Sequence, residues 1–519
     1  MPRISGLALA FGLNAAGLAQ AEIPLSAIDW LSQSVEVPVV VAGSNASPKP
    51  VVPADEQSVA NNALPAAVTV TVLGGPDPDG VGLLPPEVTG LPANLWGMGM
   101  TQDIAASITV ERTGALPALR QLLVNVLLAE ARPPIDSTGR GQLLLSRVDK
   151  LLSLGALDQA QSLLAAADAT APALFQRAFD VGLLTGTEDK QCKVLLETPA
   201  LAPTFPARIF CIARSGDWAA AALSLRTGVT LGDITPEDEA LLARFLDPAL
   251  SDDQPAPPRP ARITPLNWRL FEAIGEQLST TNLPIAFAHA DLSDQSGLKA
   301  QIEAAERLAS AGAIAPNLLL GLYTKDDPAA SGGVWDRVAA FQTFDAALDA
   351  GNVDRIAAAL PVVWAAMEDQ QLEVTFATLY AERLMATRLQ GAARALAFEI
   401  GMLSPSYEEF ALSWQTTDKR ELYLMGLARG SVAGLVAPDG MGRAIAPAFT
   451  TITLAPESAA LLQDGRLGEA LLLAMDQISR GVTGELRGVT DGLSLLRHVG
   501  LEDVARRTAL ELMLLERRG

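Results

Sequence analysis

From about residue 101 to the C-terminus, apolar residues return every three or four positions, and polar or glycine-bearing stretches separate the runs. "LPALRQLLVNVLLAEA", "QLLLSRVDKLLSLG", "LDQAQSLLAAA", "PALFQRAFDVGLLTG" and "FPARIFCIARSG" each carry this period, which predicts helix after helix. The stretch "IFCIARSGDWAAAALSL" shows how two such helices join. Phe205, Ile209, Ile212 and Ala213 form one apolar stripe, and Trp218, Ala221, Ala222 and Leu225 form the next. Between them, Gly216 suits the left-handed end of the first helix, and the Asp217 carboxylate can cap the second. This polar knot is therefore expected to be a helical-hairpin turn.

The turn recurs. Glycine followed by alanine five positions later appears at Gly155/Ala160, Gly216/Ala221, Gly465/Ala470 and Gly500/Ala505, with a looser copy, "DAGNVDRI", at 349–356. Spacings of 31 residues from Gly155 to Gly186, 30 from Gly186 to Gly216 and 35 from Gly465 to Gly500 indicate stacked helix pairs. A small residue at the alanine position lets the second helix approach the first.

Before residue 101 the pattern is different. Residues 1–21, "MPRISGLALAFGLNAAGLAQA", have a short basic start, an apolar run and an Ala-Gln-Ala cleavage site, and read as a secretory signal peptide. Residues 22–100 form a Pro/Ala/Ser-rich region expected to be a flexible tether, with "VTVTVLGG" (68–75) its one strand-like run. The run "PDPDGVGLLPPEVTGLP" is too rich in turn residues for a regular element, and Asp77 and Asp79 read as turn residues rather than a calcium loop. A Pro-rich stretch, 247–262, separates a first helical array (101–246) from a second (263–519). The fold class expected is all-α, an irregular hairpin solenoid.

Composition agrees: 49% of the 519 residues are hydrophobic but only 5% aromatic, with alanine and leucine dominant, which favours helix over strand. A formal charge of −21 repels phosphate backbones and argues against nucleic acid as a partner. The signal peptide's cleavage pattern is of bacterial type and no later stretch reads as a transmembrane helix, so the mature chain is expected in the periplasm. In that oxidising compartment the two cysteines, Cys192 and Cys211, are expected to be bridged, two separately buried thiols being the alternative.

"SGDWAAAALSL" and "DGRLGEALLLA" resemble the inter-helix turn and second helix of tetratricopeptide-like repeats. The resemblance covers turn glycines in parts of 120–230, 335–365 and 455–519. It implies a right-handed α-solenoid that scaffolds protein partners, and carries over no ligand-binding residue.

Little of the sequence suggests chemistry. His289 and His498 are the only histidines, no G-x-S-x-G elbow is present, and no zinc cluster can be built, so no catalytic residue, metal or cofactor is assigned. "SAGAIAP" (310–316) faintly resembles a lytic-transglycosylase segment. The Glu-Ser pair that such enzymes need is replaced by "EAAERLA", with Glu303 and Glu306. Two long loops stand out. "SVAGLVAPDGMGRA" (431–444) is expected to be exposed, and 323–338 is a candidate binding loop through Lys325, Asp326, Asp327 and Trp335. The expected function is non-enzymatic: a scaffold binding cell-envelope proteins. A peptidoglycan-binding or glycan-cleaving accessory protein is the alternative.

Overall fold

The computed structural model describes residues 77–111, 114–168, 171–251 and 257–515. The chain divides into two compact units, 1–68 and 69–519, and every described residue belongs to the second. The signal peptide, most of the tether and the strand-like run at 68–75 lie outside the described residues.

Twenty-five α-helices and five short 3-10 turns make up the described chain, and successive helices pack as pairs. An isolated parallel bridge between Leu84 and Ala129 is the single trace of sheet among the described residues. The hairpin at 205–231 has the form the sequence predicts. One helix runs Phe205–Arg214 and the next Trp218–Leu231. Gly216 sits at φ 94°, where a side chain would be strained, and Asp217 Oδ1 accepts the Ala220 amide at 2.9 Å. Gly155, Gly465 and Gly500 take the same left-handed conformation, and Ala160, Ala221, Ala470 and Ala505 are all fully buried. One detail differs. Trp218 is 49% exposed, because at the first helical position its ring lies at the rim and packs against Phe245, 5.8 Å between centroids.

Cys192, in helix Asp189–Glu197, is bonded to Cys211 in helix Phe205–Arg214, with Cα atoms 4.9 Å apart. The bridge joins the second helix of one hairpin to the first helix of the next. It closes a loop of 19 residues, worth about 3 kcal/mol in the chain-entropy model. A bond of this kind points to an oxidising, extracytoplasmic setting. Among the described residues no helix is long and apolar enough to cross a membrane.

The packed chain begins earlier than residue 101. Leu84, Leu91, Leu95 and Trp96 are buried, and the prolines of this stretch start two short turns, Pro78–Gly80 and Pro86–Thr89, rather than preventing them. Asp77 caps the first of these turns through the Asp79 amide. Asp79 Oδ1 accepts the Leu144 amide at 2.8 Å and so caps helix Gln142–Ser153. Nor does the Pro-rich stretch divide the core. One apolar cluster runs from Leu157 through Leu241 and Leu242 to Leu266, Trp268, Phe271 and Ala290. The His289 imidazole reinforces this continuity, its Nε2–H donating to the Gly155 carbonyl at 2.7 Å. Burial holds its pKa below the usual value, with the bond to the Gly155 carbonyl and the charge of Asp158 pulling the other way.

A second long-range feature has no counterpart in the sequence pattern. Residues 94–98 return onto the turn at 464–468: Gly468 N–H donates to the Leu95 carbonyl at 2.8 Å and Met98 N–H to Asp464 at 3.4 Å. A Cβ on Gly468 would lie 2.4 Å from the Trp96 ring, so glycine is required by the close approach. Helix Thr101–Val110 then packs on helix Leu467–Val482, and helix Pro117–Leu128 on helix Glu502–Leu514. Both Glu511 carboxylate oxygens accept the Ala118 amide, at 3.1 and 3.0 Å, across 393 residues of chain. A carboxylate at a helix N-terminus is favourable. The first helices of this unit are thereby fastened to its last.

Candidate binding surface

Helix Val334–Asp349 separates two hollows, and Ala346 lines both. One hollow, of about 450 Å3, is lined by Thr324, Lys325, Asp326, Asp327, Gln342, Asp345 and Asp349. Four carboxylates against one ammonium make it anionic. The loop backbone is held in place by Gln342, whose Nε2 donates to the carbonyls of Tyr323 and Asp326, each at 2.9 Å. Lys325 Nζ reaches Gln301 Oε1 at 3.5 Å. On the helix, Asp345 accepts the Tyr380 hydroxyl at 2.9 Å, and Arg383 pairs with Asp349 at 2.6 Å. Burial first, and then the charge of Asp345, push the Tyr380 phenol above its ordinary pKa, so it remains a donor.

The other hollow is a groove of about 730 Å3 between helix Val334–Asp349 and helix Val353–Glu368. Ala339, Ala340, Ala346, Ala347, Ala358 and Ala359 form its floor, Asp336 and Arg355 stand at its margins, and Val362 is 60% exposed. Small side chains there leave the backbone of both helices accessible to a third apolar element. The two helices meet below through Phe344, Ile356, Leu360 and Val363, all buried. Their turn repeats the hairpin logic: Gly351 is left-handed, Asn352 Oδ1 accepts the Arg355 amide at 3.0 Å, and Ile356 occupies the alanine position. The two hollows thus sit side by side on a rigid hairpin. Chain comparison adds no relative. No family model, curated protein or solved structure matches this chain.

Of the candidate loop residues, Lys325, Asp326 and Asp327 come together in the anionic hollow, while Trp335 stays out of its lining. Trp335 opens helix Val334–Asp349, and its amide donates to the Gly332 carbonyl. The other long loop is shorter than expected, because residues 440–445 form a helix. Asp439 Oδ1 accepts the Gly442 amide at 2.7 Å, and the buried Tyr423 hydroxyl donates to the Gly442 carbonyl at 2.6 Å. In "SAGAIAP", Gly312 is left-handed and Pro316 opens helix Pro316–Tyr323, giving another turn. Glu306, the nearby carboxylate, is held by Arg337 and the Tyr323 hydroxyl. Among the described residues no group of three or more His, Cys, Asp or Glu is placed to hold a metal ion.

Sequence reasoning did not single out Asp345, Asp349 or the alanine floor. Acids four apart on a helix look like an ordinary solvated face, and alanines look like helix filler. The available signal was combinatorial: Asp345 and Asp349 fall beside Ala339 and Ala346 on a helix entered from the polar loop.

Proposed function

We propose that this protein is an exported periplasmic scaffold built from tetratricopeptide-like hairpins, and that it docks a protein partner of the cell envelope. The occupant is an amphipathic helix of that partner. Its apolar side lies on the alanine floor, and its lysine or arginine side chains enter the anionic hollow. The observation that carries this reading is the adjacency of the two hollows across Ala346, one apolar and one bearing four carboxylates. The bridged cysteines and the signal-like N-terminus support the compartment. Charge on the partner would quicken its approach and set its register, while the apolar contact would supply most of the affinity.

The test compares the natural protein with two variants as affinity baits in periplasmic extract. Ala358→Trp fills the groove from an exposed position. Asp326→Lys with Asp327→Lys reverses the hollow's charge. One stoichiometric partner should be retained by the natural protein, and its affinity should fall by about tenfold or more, some 1.4 kcal/mol, with Ala358→Trp. The charge-reversed variant should bind more slowly and lose its salt dependence. Equal retention by all three proteins would contradict the surface. Retention on purified peptidoglycan with release of muropeptides would contradict the scaffold and favour glycan chemistry.

A further inference from the structure

The groove between helix Val334–Asp349 and helix Val353–Glu368 has an apolar floor, yet its two ends differ in charge. Asp336 and Arg355 are the only charged residues in its lining, and both are exposed. They stand on opposite walls. Asp336 lies in the first turn of the first helix and Arg355 in the first turn of the second. Because the two helices form a hairpin, their first turns fall at opposite ends of the groove. Counted from the turn at 350–352, Arg355 is level with Ala347, 11 residues after Asp336. The two charges are therefore about 16 Å apart along the groove, or three turns of any helix lying in it.

The fold leaves both charges available. Asp336 Oδ1 accepts the Gly332 amide at 2.9 Å, which fixes the carboxylate without cancelling its charge. The Arg355 guanidinium makes no hydrogen bond or ion pair among the described residues. Nothing polar between them asks for a partner. The Thr343 hydroxyl donates to the Ala339 carbonyl at 2.7 Å, and the rest of the lining is alanine and Val362. Other charges on the first helix are engaged elsewhere: Arg337 holds Glu306, and Asp345 and Asp349 line the anionic hollow.

We infer, on the basis of the docking proposed above, that the groove also sets the direction of its occupant. The docked helix presents an acidic residue in its first turn to Arg355 and a lysine or arginine in its last turn to Asp336. It runs antiparallel to helix Val334–Asp349 and parallel to helix Val353–Glu368.

Two effects favour this direction together. Opposite charges meet at both ends, whereas reversal of the same helix sets like charges against each other at both. Carboxylates are also stabilised at a helix N-terminus and cations at a C-terminus, so the occupant's own dipole supports the charge order that the groove selects. Lysines that enter the anionic hollow leave the occupant on the flank beside Ala346, across the groove from Arg355, and do not compete with the acidic residue there. Two exposed attractions exchanged for two repulsions should weaken binding by about tenfold.

Two synthetic peptides of one composition test this by fluorescence anisotropy on the full protein. Each has a three-turn middle of alanine and leucine and a hydrocarbon staple that equalises helicity, checked by circular dichroism. One carries glutamates in its first turn and lysines in its last; the other has these ends exchanged. At low salt the first should bind about tenfold more tightly, and the preference should shrink towards none at 1 M salt. Arg355→Glu should bring the two affinities together. Asp336→Asn, which keeps an acceptor for the Gly332 amide, should reduce the preference to about threefold. Equal affinities for the natural protein, or a preference undiminished by Arg355→Glu, would overturn the assigned direction and leave the docking surface standing. Failure of both peptides to bind would overturn the docking surface and the direction together.

Discussion

Replacing Arg147 with methionine should lower the free energy of unfolding by roughly 3–6 kcal/mol, the cost of leaving three buried carbonyls without donors. The side chain is 2% exposed, and its guanidinium bonds three carbonyls on two backbone segments. Nε donates to the Leu127 carbonyl at 2.7 Å, Nη1 to Val81 at 2.7 Å and Nη2 to Ala129 at 3.0 Å. Those carbonyls flank the isolated bridge between Leu84 and Ala129, where extended chain has no sheet to complete its hydrogen bonding. Burial pulls the guanidinium down to about 10, with Asp79 opposing, so it stays charged at neutral pH. Arg147→Lys should recover only part of the loss, since an ammonium cannot span three separated acceptors in the guanidinium's plane. Urea unfolding of both variants measures this. A change below about 1 kcal/mol for Arg147→Met would mean water replaces the guanidinium without penalty.

Glu306→Ala should cost about 2–4 kcal/mol, because it leaves the partly buried Arg337 cation and the buried Tyr323 hydroxyl without their acceptor. Glu306 is 3% exposed; its carboxylate accepts from Arg337 Nε at 2.8 Å and from the Tyr323 hydroxyl at 2.7 Å, and Tyr323 is fully buried. Burial first, then the charge of Glu306, raise the Tyr323 phenol well above its ordinary pKa, so it remains a donor throughout the physiological range. The fork ties helix Leu298–Ser310 to helix Pro316–Tyr323 and helix Val334–Asp349, which carries the candidate docking surface. Two comparisons isolate the charge effect. Glu306→Ala combined with Arg337→Met should be less destabilised than Glu306→Ala alone, since no unpaired charge remains. Glu303→Ala, one turn away, removes only a half-exposed pair with Lys299 at 3.7 Å and should change stability by less than about 0.5 kcal/mol. Thermal and denaturant unfolding read all three. A double variant weaker than Glu306→Ala would point to packing, not charge, as the dominant loss.

These glutamates also show where sequence reading succeeds and where it stops. "EAAERLA" gives a helix and places Glu303 and Glu306 one turn apart, but the difference between a surface pair and a buried fork depends on Arg337 and Tyr323. The hairpin turns at Gly155, Gly216, Gly465 and Gly500 were legible because local conformation alone demands glycine there, and the buried alanines followed from the close packing of each pair. The Cys192–Cys211 bridge was legible from number and spacing. Residues 77–100 were not: their prolines suggested irregular chain, and nothing periodic announces that Trp96 lies on Gly468. Arg147 within "QLLLSRVDKLLS" looks like a surface residue for the same reason, its three acceptors lying elsewhere in the chain. Of the docking surface, the polar loop at Lys325–Asp327 could be read, but the helical carboxylates and the alanine floor emerged only from their placement side by side.

The union of the first helices with the last rests on the contact of residues 94–98 with the turn at 464–468. Met98 and Asp464, joined by a backbone hydrogen bond, offer a direct test. With the natural cysteines bridged, Met98→Cys with Asp464→Cys supplies the only two free thiols. A short bis-maleimide should convert most of the monomer to a looped, faster-migrating species whose tryptic peptides carry residues 98 and 464 joined. Cross-links formed only between molecules, or none at all, would contradict the closure.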